Sequence, residues 1–172
     1  MAIFITGYHG TPSLENADKI IENGYNISKT EKNWLGDGIY FYPSLEDAYN
    51  WENIDTGKES EAILHSVIKI SEGELLDLDT VEGCSLLNDV IDRLVLITDI
   101  GKILDIEKRQ CAVMRFIWNL RKDIKVMACS FSKQKSKIKL LIDPREKRKE
   151  FCVRDNSCIV DTVVIKRSDI DV

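Results

Sequence analysis

Apolar patterning of period two and of period 3.6 occupies different parts of this chain, and that separation limits the folds open to it. Residues 62–70 alternate apolar and polar side chains as a half-buried strand does. Residues 3–8, 39–42 and 75–78 in the first half, and 125–131, 137–142, 150–154 and 158–166 in the second, read as further strands. Between the two groups, residues 85–97 place apolar side chains at 86, 87, 90, 91, 94 and 97. Residues 106–120 put Val113, Phe116, Ile117 and Leu120 on one face, so both segments read as amphipathic helices. Strands at both ends with helices between them predict one α+β domain over 1–172.

Local signals refine the first third. The strand over 3–8 is expected to end at Gly7-Tyr8-His9-Gly10. Thr11 or Ser13 then caps a helix carrying Leu14, Ala17, Ile20 and Ile21, which Gly24 stops. Gly36-Asp37-Gly38 is a tight turn before the strand over 39–42. Pro43-Ser44 opens a helix through about Trp51, with Glu46 and Asp47 where the helix dipole favours acids, and a polar loop covers 52–61.

Composition excludes several classes. A chain of 172 residues with 44% apolar and 31% charged residues is long enough to bury a core. A net charge of −5 does not draw the whole surface to nucleic acid or anionic lipid, and no apolar stretch approaches bilayer-spanning length. The first residues lack the basic stretch of a secretory signal. Cys84, Cys111, Cys129, Cys152 and Cys158 show no CxxC spacing, and four of them sit in apolar runs where a reduced, buried thiol is expected. The expectation is a cytoplasmic protein without disulfides. His9 and His65 stand apart from any zinc-type spacing, so no metal is expected, and Walker, GxGxxG and GxSxG motifs are absent. One tract runs against the acidic balance: Lys133, Lys135, Lys137, Lys139, Arg145, Lys147, Arg148 and Lys149 make 133–149 strongly basic.

Three segments together point further. They are Tyr8-His9-Gly10-Thr11 followed by a helix and Gly24-Tyr25, then Gly36-Asp37-Gly38-Ile39-Tyr40-Phe41 followed by Ala48-Tyr49-Asn50-Trp51, and finally Glu150-Phe151-Cys152-Val153. In this order they resemble the poly(ADP-ribose) polymerase-like, His-Tyr-Glu branch of the ADP-ribosyltransferase superfamily. The resemblance covers residues 3–51 and about 148–165 and leaves 62–147 unmatched.

That resemblance implies a split β-sandwich with flanking helices, NAD⁺ as co-substrate, and His9, Tyr40 and Glu150 as the catalytic set. His9 would bond a ribose hydroxyl of the adenosine half, Gly10 would bring its backbone to the nicotinamide amide, and Thr11 would add a ribose or backbone contact. Tyr40 would cover one face of the nicotinamide and Trp51 or Tyr49 the other, each stacked pair contributing about 0.5–1.5 kcal/mol. Glu150 would hold the nicotinamide-ribose hydroxyl and stabilise the oxocarbenium-like transition state. The product would be a mono-ADP-ribosylated macromolecule, protein or nucleic acid, reached through the basic segment 133–149, in a toxin or defence effector.

The chain departs from the family pattern in places. Ala48 stands where the polymerases have a serine, Trp51 replaces their tyrosine, and the long helical regulatory domain has no room. Arg148, two residues before Glu150, is unlike the acidic or amide residue of the arginine-modifying branch. Each signal taken alone also has an ordinary structural explanation: His9-Gly10 as a turn, Tyr40 as core, Glu150 as a solvated charge, the basic run as a loop. Trp34 reads as a loop anchor or a cofactor contact, Trp118 as core and His65 as a satisfied structural histidine. Three other functions stay open: an NAD⁺ glycohydrolase with the same site, a tRNA 2′-phosphotransferase, and a non-catalytic module binding NAD⁺, ADP-ribose or a protein.

Overall fold

The computed structural model describes residues 1–49, 60–132 and 147–169. Two sheets carry the fold. β1 (Ala2–Thr11), β3 (Ala62–Ser71) and β7 (Ile159–Lys166) form an antiparallel sheet with β3 in the centre. β2 (Ile39–Phe41), β6 (Lys147–Val153), β5 (Val126–Ser132) and β4 (Leu75–Asp77) form the second, in that order. Within it β4 runs parallel to β5, because the chain between them crosses over through α3 (Val81–Ile97) and α4 (Ile106–Leu120). The architecture is α+β, with a mixed second sheet where two antiparallel sheets were expected.

Alternation along the second sheet makes two cores. Cys152 and Met127 face α3 and α4, where they meet Val90, Leu94, Ile117 and Trp118. Val153, Val126, Ile39 and Phe41 face the first sheet and meet Ala62, Leu64 and Ile68. Neighbouring residues of a strand point to opposite faces, so one short sheet serves both layers. Helix α1 (Leu14–Asn23) brings Ala17 and Ile20 to the second core, and α2 (Leu45–Tyr49) packs on β1 and β3 with Ala48 beside Tyr42 and Ile63. Among the described residues no helix is long and apolar enough to cross a membrane.

Several boundaries differ from expectation for local reasons. β1 continues through His9-Gly10-Thr11, because β3 pairs with it as far as Thr11↔Ala62. Ser13, rather than Thr11, caps α1 by accepting from Asn16 N–H. α3 begins at Val81, capped by Thr80, four residues ahead of the apolar periodicity. The glycine that hides this start, Gly83, is there because a Cβ would strike Asp77 O. β6 begins at Lys147, drawn into register by Ser132. Cys111, Cys152 and Cys158 are buried free thiols, whereas Cys84 is exposed. Trp118 is core, 3% exposed, and donates its indole N–H to Leu35 O. His65 stacks on Tyr8 at 4.8 Å, yet its Nε2 has no hydrogen-bond partner among the described residues, so it is not the satisfied histidine expected. The strand expected over 137–142, the end of the second helix and the loop over 52–61 fall wholly or mostly outside the described residues.

Candidate functional site

β1 and β2 touch through a reciprocal pair of backbone bonds: Tyr8 N–H donates to Tyr42 O and Tyr42 N–H to Tyr8 O, both at 2.8 Å. This bridge is isolated, and beyond it the strands part. A residue's N–H and C=O lie on one side of its strand, and that side recurs at every second residue. Gly10, two residues after Tyr8, therefore aims both groups toward β2, and Tyr40, two residues before Tyr42, aims its own toward β1. The gap is spanned by a side chain instead: His9 Nδ1 lies 2.7 Å from Tyr40 O. A carbonyl only accepts, so Nδ1 carries the proton and Nε2 is left as an acceptor.

Aromatic edges fix the imidazole. Tyr25 meets it at 5.2 Å and 83°, Phe41 at 5.8 Å and 58°. Burial pulls the His9 pKa below its ordinary value, with the Tyr40 carbonyl acting weakly the other way, so the ring is neutral at neutral pH. On its open side a cleft of about 680 Å³ runs between the end of β1 and α1. Its lining includes His9, Gly10, Thr11, Asn16 and Gly24. Thr11 itself is only 2% exposed.

The Tyr40 ring is set by its hydroxyl, which donates to Gly36 O at 2.7 Å and accepts from Leu35 N–H at 3.0 Å. Burial pushes that phenol far above its ordinary range, so it stays protonated. The Gly36 turn, at φ 81°, is held from behind by Trp118 on Leu35 O and by Arg115, whose guanidinium pairs with Asp37.

Glu150 joins from β6. Tyr40 is opposite Cys152, and Glu150, two residues earlier, shares that face of the sheet. Its carboxylate is close enough to raise the pKa of both Tyr40 and Tyr42. Burial raises the Glu150 pKa, Arg148 opposes this, and Asp47 adds to it. Arg148 lies over the Tyr42 ring at 3.9 Å and donates to Asp47 O. The His9 ring and the main-chain groups of Gly10 and Tyr40 thus meet at the edge where β1 and β2 touch, whereas the Tyr40 and Glu150 side chains lie on the Cys152 face of the second sheet and do not line the cleft beside α1. Tyr49 packs in a cluster with Tyr42, Ala48 and Ile63, which contains neither His9 nor Tyr40. Trp51 lies outside the described residues.

Two supports of this seam carry no sequence signal. Asn156 holds the segment after α1 by accepting from Tyr25 N–H at 2.9 Å and donating to Tyr25 O at 2.7 Å. Arg148 is the other, and its basic neighbours disguise it as part of a charged run. Neither contact follows any local spacing, since each joins residues a hundred or more positions apart.

Among known proteins no family model matches the chain. An uncharacterized protein of Methanocaldococcus jannaschii is 33% identical to it over 97 residues, covering 53% of this chain and 44% of that protein. The chain therefore spans less than half the length of this relative.

Proposed function

We propose that the chain is an NAD⁺-dependent ADP-ribosyltransferase of the His-Tyr-Glu type on an ADP-ribosyltransferase-like split β-sandwich. The observation that carries this reading is the parted β1–β2 seam. It brings the backbone groups of Gly10 and Tyr40 and the acceptor Nε2 of His9 to one strand edge, with the Tyr40 and Glu150 side chains on the Cys152 face of the adjoining sheet. A carboxamide offers one donor and one acceptor, and Gly10 offers the complementary pair with no Cβ in the way. Tyr40 supplies the stacking surface for the nicotinamide ring. His9 Nε2 accepts from a ribose hydroxyl of the adenosine half, which extends along the cleft beside α1. Asn16 and Asn26 supply polar groups there.

Cleavage of the glycosidic bond to nicotinamide develops positive charge on the ribose. Glu150 accepts from the ribose 2′-hydroxyl and offsets that charge in a largely buried setting, where electrostatic effects are strongest. Arg148 holds Glu150 toward its ionised form, and the acceptor nucleophile then takes the anomeric carbon.

The test is incubation with NAD⁺ labelled in the ADP-ribose portion, reading nicotinamide release and label on macromolecules. Release with labelled macromolecule is the expected result. Release with free ADP-ribose alone identifies the glycohydrolase instead. Absence of both, together with no rise in melting temperature at millimolar NAD⁺, leaves an interaction module and ends the proposal.

A further inference from the structure

We propose that Trp34 and Phe131 form an aromatic platform for an unpaired base, so that the acceptor is a single-stranded nucleic acid. Naming it an acceptor rests on the transferase reading; the binding surface itself does not.

The indole of Trp34 meets Phe131 edge to face, with centroids 5.0 Å apart and planes at 75°. Trp34 is 41% exposed, whereas its neighbour Leu35 is fully buried. The anchoring of this loop is already done by others: Leu35 in the core, Trp118 on Leu35 O, and Arg115 on Lys29 O and Asp37. Anchoring therefore does not account for a large apolar ring held in solvent. Its position is informative. The amide of Leu35, the next residue, bonds the Tyr40 hydroxyl, and Phe131 is opposite Arg148, one diagonal step from Glu150 on the same face. The platform thus stands next to the carboxylate that faces the reacting ribose.

Charge chooses the occupant. Lysine-rich runs without aromatics are weak evidence for base recognition, and 133–149 has none. Phe131 stands two residues before Lys133 in the chain, the β5–β6 pair ends at Ser132↔Lys147, and Trp34 arrives from the loop before β2. Two acids of the loop are paired, Glu31 with Lys108 at 2.7 Å and Asp37 with Arg115 at 2.8 Å. Lys29 and Lys32 of the same loop are exposed. An aromatic face bordered by cations suits stacked bases with a phosphate backbone.

Anisotropy of fluorescent single strands of about twelve nucleotides, one of RNA and one of DNA, tests this in about 50 mM salt without NAD⁺. Wild type is expected to bind at least one of the two, with affinity falling as salt rises, and the matching duplex to compete poorly. Trp34→Leu keeps an apolar contact to Phe131 and loses the π face; it should weaken binding about tenfold with an unchanged melting temperature. Trp34→Phe should recover most of the loss. No binding by wild type, or equal binding by Trp34→Leu, overturns the proposal. In a parallel arm with labelled NAD⁺, nuclease-sensitive label is expected, and label confined to protein overturns the acceptor assignment. If NAD⁺ is not consumed at all, the transferase reading fails while the anisotropy still decides the platform.

Discussion

His9 Nδ1 and the main-chain carbonyl of Tyr40 are 2.7 Å apart, so a side chain closes the place where two strands would otherwise exchange an amide bond. This bond sets three properties together. It fixes the imidazole tautomer, it keeps β1 from zipping onto β2 beyond Tyr8 and Tyr42, and it holds Gly10 and Tyr40 across an open seam.

His9→Ala should weaken NAD⁺ binding and lower stability, and the stability difference should depend on pH. The His9 pKa is depressed in the fold relative to 6.5, chiefly by burial. A depressed pKa means the unfolded chain takes up the proton first, so the contribution of His9 is intact above 6.5 and declines as pH falls below it. Melting temperatures of wild type and His9→Ala should therefore converge as pH is lowered from 7. Curves that stay parallel would show that the buried ring does not titrate as its surroundings require.

Glu150→Gln should reduce nicotinamide release by about 10²–10³ and leave the melting temperature at neutral pH equal to or above that of wild type. The Glu150 pKa lies above 4.5 because burial disfavours the carboxylate. A raised pKa in an acid favours the folded state below that pKa and penalises it above. The stabilisation by Gln should thus be absent below 4.5 and complete once pH exceeds the folded pKa. Unchanged release in this variant removes Glu150 from the site.

The elements that sequence disclosed were those with a local cause. α4 has the bounds its periodicity indicates, and β3 differs by one residue, since burial on one face leaves a repeat that can be counted. The His9, Tyr40 and Glu150 segments were visible because each sits on a short motif. What stayed hidden depends on register. Nothing local says that Glu150 lies two residues from the Cys152 that is opposite Tyr40, or that Phe131 sits beside Trp34. The parallel pairing of β4 with β5 is equally silent, because a three-residue strand has no periodicity of its own. The packing of Tyr49 against Tyr42, Ala48 and Ile63 was likewise not legible in the sequence, because it joins α2 to two strands distant from each other along the chain.

Tyr40→Phe separates the ring from its hydroxyl. Leu35, which is 0% exposed, donates its N–H to that hydroxyl, and the hydroxyl donates to Gly36 O. Phe keeps the stacking surface but strands a buried donor, at a cost of about 1–3 kcal/mol. Denaturant unfolding should show this loss, while NAD⁺ affinity falls far less than in Tyr40→Ala. Equal affinity losses in the two variants would mean that the ring does not contact the nicotinamide.

Gly38→Ala should be more damaging than any of these, although it touches no proposed reacting group. A Cβ at Gly38 would overlap Cys152 Sγ and lie 2.9 Å from Val153 O. Both neighbours are fully buried on β6, and neither can retreat without moving the strand that carries Glu150. Overpacking of this kind costs about 1–3 kcal/mol where side chains can adjust, and more where backbone is struck. The Gly38 amide and carbonyl also exchange bonds with Ser28, at 3.1 and 2.9 Å, which ties the turn to the loop before it. The variant should lose stability by at least 2–3 kcal/mol, roughly the upper end of that range, with nicotinamide release falling in parallel. The companion variant Cys152→Ala opens space at Sγ, so the double variant should regain part of the stability lost by Gly38→Ala alone. Independent, additive losses in the two variants would show that the β2–β6 contact is looser than a methyl group can sense.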